Sequence, residues 1–152
     1  MNPRSRAFAM CLCLTAVVLT IGYGSIGAQS APASTRDGVF IHLTKGPEDA
    51  HGVLMALKMA NLMAGDRDVL VYCDLNGINT VLKNAPDITF STFDSSRTQI
   101  KTLLDKSIPV YACPACIKAL GKTPDDLMPG VKMAEKNAFF SFTKGRILTL
   151  DY

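Results

Sequence analysis

The sequence lacks a strong excess of charge of either sign. Its 16 basic and 13 acidic residues give a formal net charge of +3, which falls to +1 without Arg4 and Arg6 of the N-terminal segment. A nearly neutral chain has little electrostatic attraction for nucleic acid or for an anionic membrane surface. We therefore expect no nucleic acid among its partners.

Cysteine is also scarce. The chain has five cysteines, and Cys11 and Cys13 lie in the apolar N-terminal run, which leaves Cys73, Cys113 and Cys116 for the rest of the chain. Three cysteines are too few for a disulfide framework. Because their number is odd, either one thiol stays unpaired or the Cys113 and Cys116 pair cycles between reduced and oxidised forms.

Recognisable cofactor motifs are missing as well, and we expect no cofactor. The loop at residues 44–47, TKGP, precedes a helix but lacks the spacing of a phosphate loop or a dinucleotide fingerprint, so it is interpreted as a turn. A single Cys-x-x-Cys without a second pair is weak evidence for zinc, and we predict no metal site. The alternative is a metal bound by Cys113, Cys116 and a histidine.

The N-terminus has the three regions of a secretory signal. Basic residues lie within 1–6, residues 7–21 are apolar without a charge, and residues 22–33 are rich in small side chains. We predict a signal peptide at 1–30, a flexible linker at 31–37 and one domain at 38–152, with cleavage after Ala33 as the second choice. The protein is then periplasmic or secreted; the alternative is an uncleaved membrane anchor.

Strand and helix patterns alternate along the domain. Continuous apolar runs at 39–43, 69–73, 108–112 and 146–151 predict buried strands, and residues 50–64 and 95–106 predict helices. Shorter helices are expected at 78–83, from 124 and within 131–144, whereas residues 88–90 fit a minor strand or a loop. The pattern predicts a three-layer α/β/α domain with a mainly parallel sheet of about five strands.

The segment 108–121, IPVYACPACIKALG, is the strongest candidate site. It predicts a strand that passes directly into a helix beginning at Pro114 and ending at Gly121, with Cys113 as the N-cap. Free amides at a helix start favour the thiolate, the reactive form of cysteine. Cys116 lies one turn later on the same face, so the pair can form a disulfide, share a metal, or act as attacking and resolving thiols. The alternative for Cys113 is a buried apolar packing role.

Three further residues could have either a functional or a packing role. His42 lies inside a strand and fits a structural histidine, whereas His51, at the start of a helix at the carboxyl edge of the sheet, is the better candidate for a base or hydrogen-bond partner. Cys73 ends a buried strand and is expected to pack.

The sequence resembles the DsrE/DsrF-like sulfur-relay family. The resemblance covers VFIHLTKGPEDAHGVLMALKMA, VLVYCDLNGI and, above all, VYACPACIKALG, in which Cys113, Cys116, Lys118 and Gly121 match the family pattern. It implies a parallel-sheet domain, a homotrimer or homohexamer, and Cys113 as the sulfur-accepting residue. The chain differs from the best-known cytoplasmic members by its export signal and by Leu120, where an Arg often precedes the glycine.

Three functions are compatible with these patterns. The first is a persulfide carrier or sulfurtransferase that uses Cys113, with Cys116, His51 and Lys118 in support, and has sulfur donor and acceptor proteins or small thiols as partners. The second is a thiol-disulfide oxidoreductase using Cys113 and Cys116. The third is a non-catalytic oligomeric binding protein.

Overall fold

The computed structural model describes residues 35–152, so the predicted signal peptide and most of the predicted linker lie outside the described residues. The strands are β1 (Gly38–Leu43), β2 (Asp68–Cys73), β3 (Val110–Ala112), β4 (Lys132–Met133) and β5 (Ile147–Asp151). The helices are α1 (Ala50–Met63), α2 (Ser96–Asp105), α3 (Pro114–Ala119) and α4 (Ala138–Ser141), with 3-10 turns at Pro47–Asp49, Leu75–Thr80 and Pro124–Asp126. Within residues 35–152, none of the helices has the length and apolar character needed to cross a membrane.

The five strands form one sheet in the order β4-β3-β2-β1-β5, and every neighbouring pair is parallel. This confirms the predicted α/β class and the parallel sheet of about five strands. β2 is the central strand, and its sequence DVLVYC is the continuous apolar run that a strand buried from both faces requires.

One face of the sheet carries the main core. The chain passes from β1 to β2 to β3 in one direction along the sheet, so right-handed crossovers place α1 and α2 on the same face. Ile41, Leu43 and Val71 are fully buried in this core. Burial of each such side chain stabilises the fold by about 2 kcal/mol. The core therefore holds the ends of β1 and β2 firmly in place.

The opposite face is covered more lightly. The connection from β4 returns to β5 at the far edge of the sheet and crosses this face, where α4 lies. The Phe139 ring of α4 is 5.7 Å from that of Phe40 and 5.0 Å from that of Tyr72, measured between centroids. Phe40 and Tyr72 are only partly buried. Side chains on this face consequently reach solvent near the carboxyl ends of the strands.

The structure departs from the predicted elements mainly after β3. The helix predicted within residues 131–144 is reduced to the four-residue α4, and β4 precedes it as a strand that the sequence analysis missed. A strand of two residues is too short to show an alternating pattern in the sequence. β4 is recognisable only by its pairing with β3. The helix predicted at 78–83 is instead the 3-10 turn Leu75–Thr80, and residues 88–90 form a loop.

Candidate active site

A row of side chains crosses the sheet near its carboxyl edge. The strand register places Asp151, His42, Tyr72 and Tyr111 side by side on β5, β1, β2 and β3. Paired residues of parallel strands point to the same face, so these four side chains share the face that carries α4. Cys113 lies two residues beyond Tyr111, directly after the end of β3.

Cys113 occupies the junction between β3 and α3. Its N–H donates to the Cys73 carbonyl at 2.9 Å, which extends the pairing of β3 with β2. Its sulfur accepts a hydrogen bond from the Cys116 N–H at 3.4 Å, and Pro114 follows as the first helical residue. Pro114 has no N–H to donate and its φ is already helical, so it suits this position. The predicted N-cap role of Cys113 is confirmed.

Hydrogen bonds make Cys113 the more acidic thiol of the pair. Burial alone would raise its pKa, but hydrogen bonds from the Tyr72 hydroxyl and from Cys116 and the Ala115 N–H stabilise the thiolate, and the net effect lowers the pKa. Burial, together with the Cys113 sulfur, raises the pKa of Tyr72. Tyr72 therefore stays protonated and remains a hydrogen-bond donor at neutral pH.

Cys116 has the opposite tendency. Burial raises its pKa, and the neighbouring Cys113 sulfur raises it further, although the Leu75 N–H donates to the Cys116 sulfur at 3.3 Å. Leu75 adopts the left-handed region with φ 44°, which is uncommon for a residue other than glycine. The backbone turn after β2 thus directs an amide to the second thiol. The pair is asymmetric, with Cys113 inclined to ionise and Cys116 inclined to keep its proton.

His42 lies between two carboxylates. Its Nδ1 is 2.7 Å from Asp151 Oδ1, and its Nε2 is 3.0 Å from Asp74 Oδ2, an ion-pair distance at which the N–H is not aligned for a good hydrogen bond. Burial lowers the pKa of His42, but the two carboxylates outweigh burial and the net effect raises it. The ring also stacks on Tyr72 with 5.7 Å between centroids and 24° between planes. His42 therefore favours the charged imidazolium form beside Tyr72.

The two supporting residues predicted from the sequence lie elsewhere on the surface. His51 is exposed in the first turn of α1, where its ring stacks on Phe90 at 4.7 Å and meets the edge of Phe93 at 5.6 Å. Lys118 is exposed in the last turn of α3. Neither side chain makes a hydrogen bond to Cys113 or Cys116 within the part of the chain that the structure describes.

The third thiol, Cys73, lies in the core and apart from solvent. Cys73 is fully buried, and burial raises its pKa to about 12, so it packs as a small apolar side chain. Among residues 35–152, no cluster of three or more His, Cys, Asp or Glu side chains has an arrangement that could hold a metal ion. The reactive groups of this edge are therefore the two thiols, Tyr72 and His42.

Two solved structures resemble the fold. YchN from E. coli superposes with a TM-score of 0.58 at 14% identity, covering 76% of this chain and 99% of YchN. MTH1491 from Methanobacterium thermoautotrophicum, described as a protein of unknown function, superposes with a TM-score of 0.53 at 18% identity, covering 76% of this chain and 99% of MTH1491. No protein-family model and no curated protein sequence matches the chain.

The chain has a DsrE-like fold. In this DsrE-like domain the site lies where parallel α/β sheets collect reactive groups, at the carboxyl ends of adjacent strands. At 14% and 18% identity, the two structures establish the fold and not the chemistry of the site.

Tyr72 and His42 were not predicted from the sequence as members of this site. Tyr72 lies in the apolar strand VLVYC and His42 in the apolar strand VFIHL, where every residue is compatible with a packing role. A usable signal was present: Tyr72 and His42 each lie one residue before the carboxyl end of a predicted parallel strand. In such a sheet, equivalent positions on neighbouring strands lie side by side.

Proposed function

We propose that this protein carries sulfane sulfur as a persulfide on Cys113. The observation that supports this function best is the environment of the Cys113 sulfur, which accepts a hydrogen bond from the Cys116 N–H at 3.4 Å and stays partly open to solvent. Hydrogen bonding to the thiolate outweighs burial and lowers the pKa of Cys113. These contacts stabilise a sulfur anion at the surface, as a nucleophilic thiol requires. The resemblance of VYACPACIKALG to the sulfur-relay family agrees with this assignment.

The transfer step is a thiolate attack on a persulfide donor. The Cys113 thiolate attacks the outer sulfur of R–S–SH, forming a new S–S bond while the donor's S–S bond breaks. The donor leaves as its thiolate, and Cys113 becomes Cys–S–SH with no net oxidation. An acceptor thiolate then attacks the outer sulfur and regenerates the Cys113 thiolate. Donor and acceptor are thiols of partner proteins or small molecules.

A loading experiment tests this function. The reduced full chain is incubated with glutathione persulfide, and peptide mass spectrometry locates any gain of one sulfur atom. We expect the gain on Cys113, its loss in Cys113→Ser, and its retention in the matched control Cys73→Ser, whose thiol is buried. Absence of the adduct from the wild type, or equal loading of Cys113→Ser, would contradict the proposal.

A second candidate function is thiol-disulfide exchange by Cys113 and Cys116. The Cys116 N–H donates to the Cys113 sulfur at 3.4 Å, and the pKa values of the two thiols shift in opposite directions, as expected for an attacking and a resolving thiol. This function requires a reversible disulfide with a measurable reduction potential and turnover of a disulfide substrate that either Cys→Ser variant abolishes. A pair that cannot be reduced reversibly would exclude it.

We further propose that the protein is exported and assembles as a homotrimer or homohexamer. The exposed β5 supports assembly, because it forms one edge of the sheet and leaves Ile147 and Leu148 exposed. Phe140 of α4 is also largely exposed. The intact mass of the protein recovered from its native compartment tests export: a start at residue 31 or 34 supports it, and a start at Met1 contradicts it.

A further inference from the structure

An unassigned cavity lies near the Cys113 junction, on the face of the sheet that carries α4. It has a volume of about 350 Å³. The residues that line it come from β3, β4 and the segment that enters α4: Tyr111, Lys132, Met133, Glu135 and Ala138. Cavities of about 300 to 1,000 Å³ are typical of sites for small molecules. The size of this cavity therefore suits a small ligand.

The strand register brings the cavity close to the thiol. Tyr111 on β3 pairs with Lys132 on β4, so both side chains point to the same face. Cys113 follows Tyr111 by two residues with extended backbone, so its side chain returns to that face about 7 Å farther along the chain. The Ala134 N–H donates to the Ala112 carbonyl at 2.9 Å, which continues β4 alongside the thiol. A ligand held in the cavity can therefore present a sulfur atom to Cys113.

Two opposite charges line the cavity. Lys132 and Glu135 form no ion pair within residues 35–152, so both charges are available to a ligand. Tyr111 contributes an aromatic wall with a hydroxyl, and Met133 and Ala138 contribute apolar surface. An α-amino acid group carries the complementary charges, a carboxylate for the lysine and an ammonium for the glutamate.

We propose that this cavity binds the α-amino acid group of a low-molecular-mass persulfide, of the class of cysteine persulfide and glutathione persulfide, with Lys132 at its carboxylate and Glu135 at its ammonium. This inference rests on the proposed persulfide function and names the sulfur donor. The Cys113 thiolate attacks the outer sulfur of the bound R–S–SH, the S–S bond of the donor breaks, and the donor leaves as its thiolate. Cys113 becomes Cys–S–SH, and the step needs no oxidant or reductant.

A second cavity lies on the other side of Tyr111 and Lys132 and provides a comparison. It has a volume of about 430 Å³ and is lined partly by residues 107–109, which precede β3, so it lies farther from Cys113 along the strand. Among the described residues that line it, Lys132 is the only charged one. The ammonium of an α-amino acid has no acidic partner there.

Binding is measured without sulfur transfer. S-methylglutathione and S-methylcysteine keep the α-amino acid group but have neither a thiol nor a persulfide, and each is titrated into the isotopically labelled full chain. We expect NMR shifts at the backbone amides of Lys132, Met133 and Glu135, and binding about threefold weaker in Lys132→Gln and in Glu135→Gln. The analogue that binds more tightly identifies the better donor. Shifts confined to residues 107–109, or no shifts with either analogue, would overturn the inference.

Loading rates show whether the cavity serves sulfur transfer. With cysteine persulfide or glutathione persulfide, Lys132→Gln and Glu135→Gln should each load Cys113 about threefold more slowly than the wild type. With mercaptoethanol persulfide, which lacks both charges, the ratio of variant to wild-type rates should be closer to one. Lys136→Gln is the matched control, because Lys136 is exposed on the same segment but does not line the cavity. Equal rates for Lys132→Gln and Lys136→Gln with both charged donors would overturn the inference.

Ala138→Phe tests the cavity without changing a charge. The larger side chain enters the cavity from α4, so loading by both charged donors should slow more than in Lys132→Gln. Loading of Ala138→Phe at the wild-type rate would show that the donor does not occupy the cavity.

The two kinds of measurement separate this inference from the proposed function. If the wild type is loaded, the analogues bind in the cavity and the variants are slower, both are supported. If the wild type is loaded and neither analogue shifts these amides, the cavity is not the donor site and the persulfide function stands. If none of the three donors loads the wild type, the function fails, and the analogue titration still decides whether the cavity binds an α-amino acid group.

Discussion

His42 and Asp151 face each other across β1 and β5, with 2.7 Å between His42 Nδ1 and Asp151 Oδ1. This contact joins the first and last strands of the sheet at the row of side chains that leads to Cys113. Because β5 pairs only with β1 within residues 35–152, the contact adds a side-chain link to that strand pair. Because the Asp151 carboxylate raises the pKa of His42, the contact also favours the charged form of His42 in the folded protein.

The first prediction concerns the pH dependence of stability. The folded pKa of His42 is raised above its value in the unfolded chain, so the folded state binds the proton more tightly. The resulting stabilisation is complete below about pH 6.5 and is lost as pH rises through the folded pKa. Urea unfolding of the full chain should show this decline, and His42→Gln should remove it.

Asp151→Asn is expected to reduce the same decline only partly. Asp74 remains beside the ring, and the Asp151 side chain is 67% exposed, so its contribution is below about 1 kcal/mol. The control is Asp105→Asn, which breaks the exposed Lys101 pair on α2 and should leave the pH dependence unchanged. A pH profile of His42→Gln identical to that of the wild type would refute the prediction.

The sequence predicted β1 and β2 well because both strands are apolar runs that the core requires, as in VLVYC of β2. It also located Cys113, since strand, cysteine and Pro114 are contiguous and the N-cap is a local property. The partners of that thiol were not predictable from local pattern, because Tyr72 and His42 reach it only through strand order and register. His51 illustrates the limit: it begins a helix at the carboxyl edge, yet its ring packs on Phe90.

The second prediction concerns Gly77, which lies where the turn after β2 passes the end of β1. A Cβ at this position would overlap the Leu43 carbonyl oxygen, so an alanine must push the turn away. Gly77→Ala should destabilise the fold by about 1 to 3 kcal/mol and displace the Leu75 N–H from Cys116. Thermal unfolding and site-resolved alkylation of Cys116 measure these effects.

Gly65→Ala is the control for this substitution. Gly65 follows α1, and a Cβ there makes only an ordinary contact at 3.5 Å with the Leu62 carbonyl. It should change stability by less than about 1 kcal/mol and leave the thiols unaffected. If Gly77→Ala behaves like Gly65→Ala, the turn does not depend on the close approach to Leu43.

The third prediction tests assembly through β5. Leu148 is 55% exposed on this edge strand, so Leu148→Lys places a charge in the proposed interface and should convert the proposed homotrimer or homohexamer to smaller species. Light scattering after gel filtration measures the mass. Leu62→Lys is the matched control, because Leu62 is 60% exposed on α1, on the side where α1 meets α2. Equal masses for both variants would exclude β5 as the interface.

The last prediction separates the two thiols. Cys116→Ala removes the thiol whose interaction with Cys113 lowers the Cys113 pKa, but it keeps the backbone N–H that donates to the Cys113 sulfur at 3.4 Å. The Cys113 pKa should therefore rise, and its alkylation by iodoacetamide at neutral pH should slow several-fold. Persulfide on Cys113 should also persist longer, because no neighbouring thiol remains to attack it and close a disulfide. Faster alkylation of Cys113 in this variant would show that Cys116 shields the first thiol and does not support it.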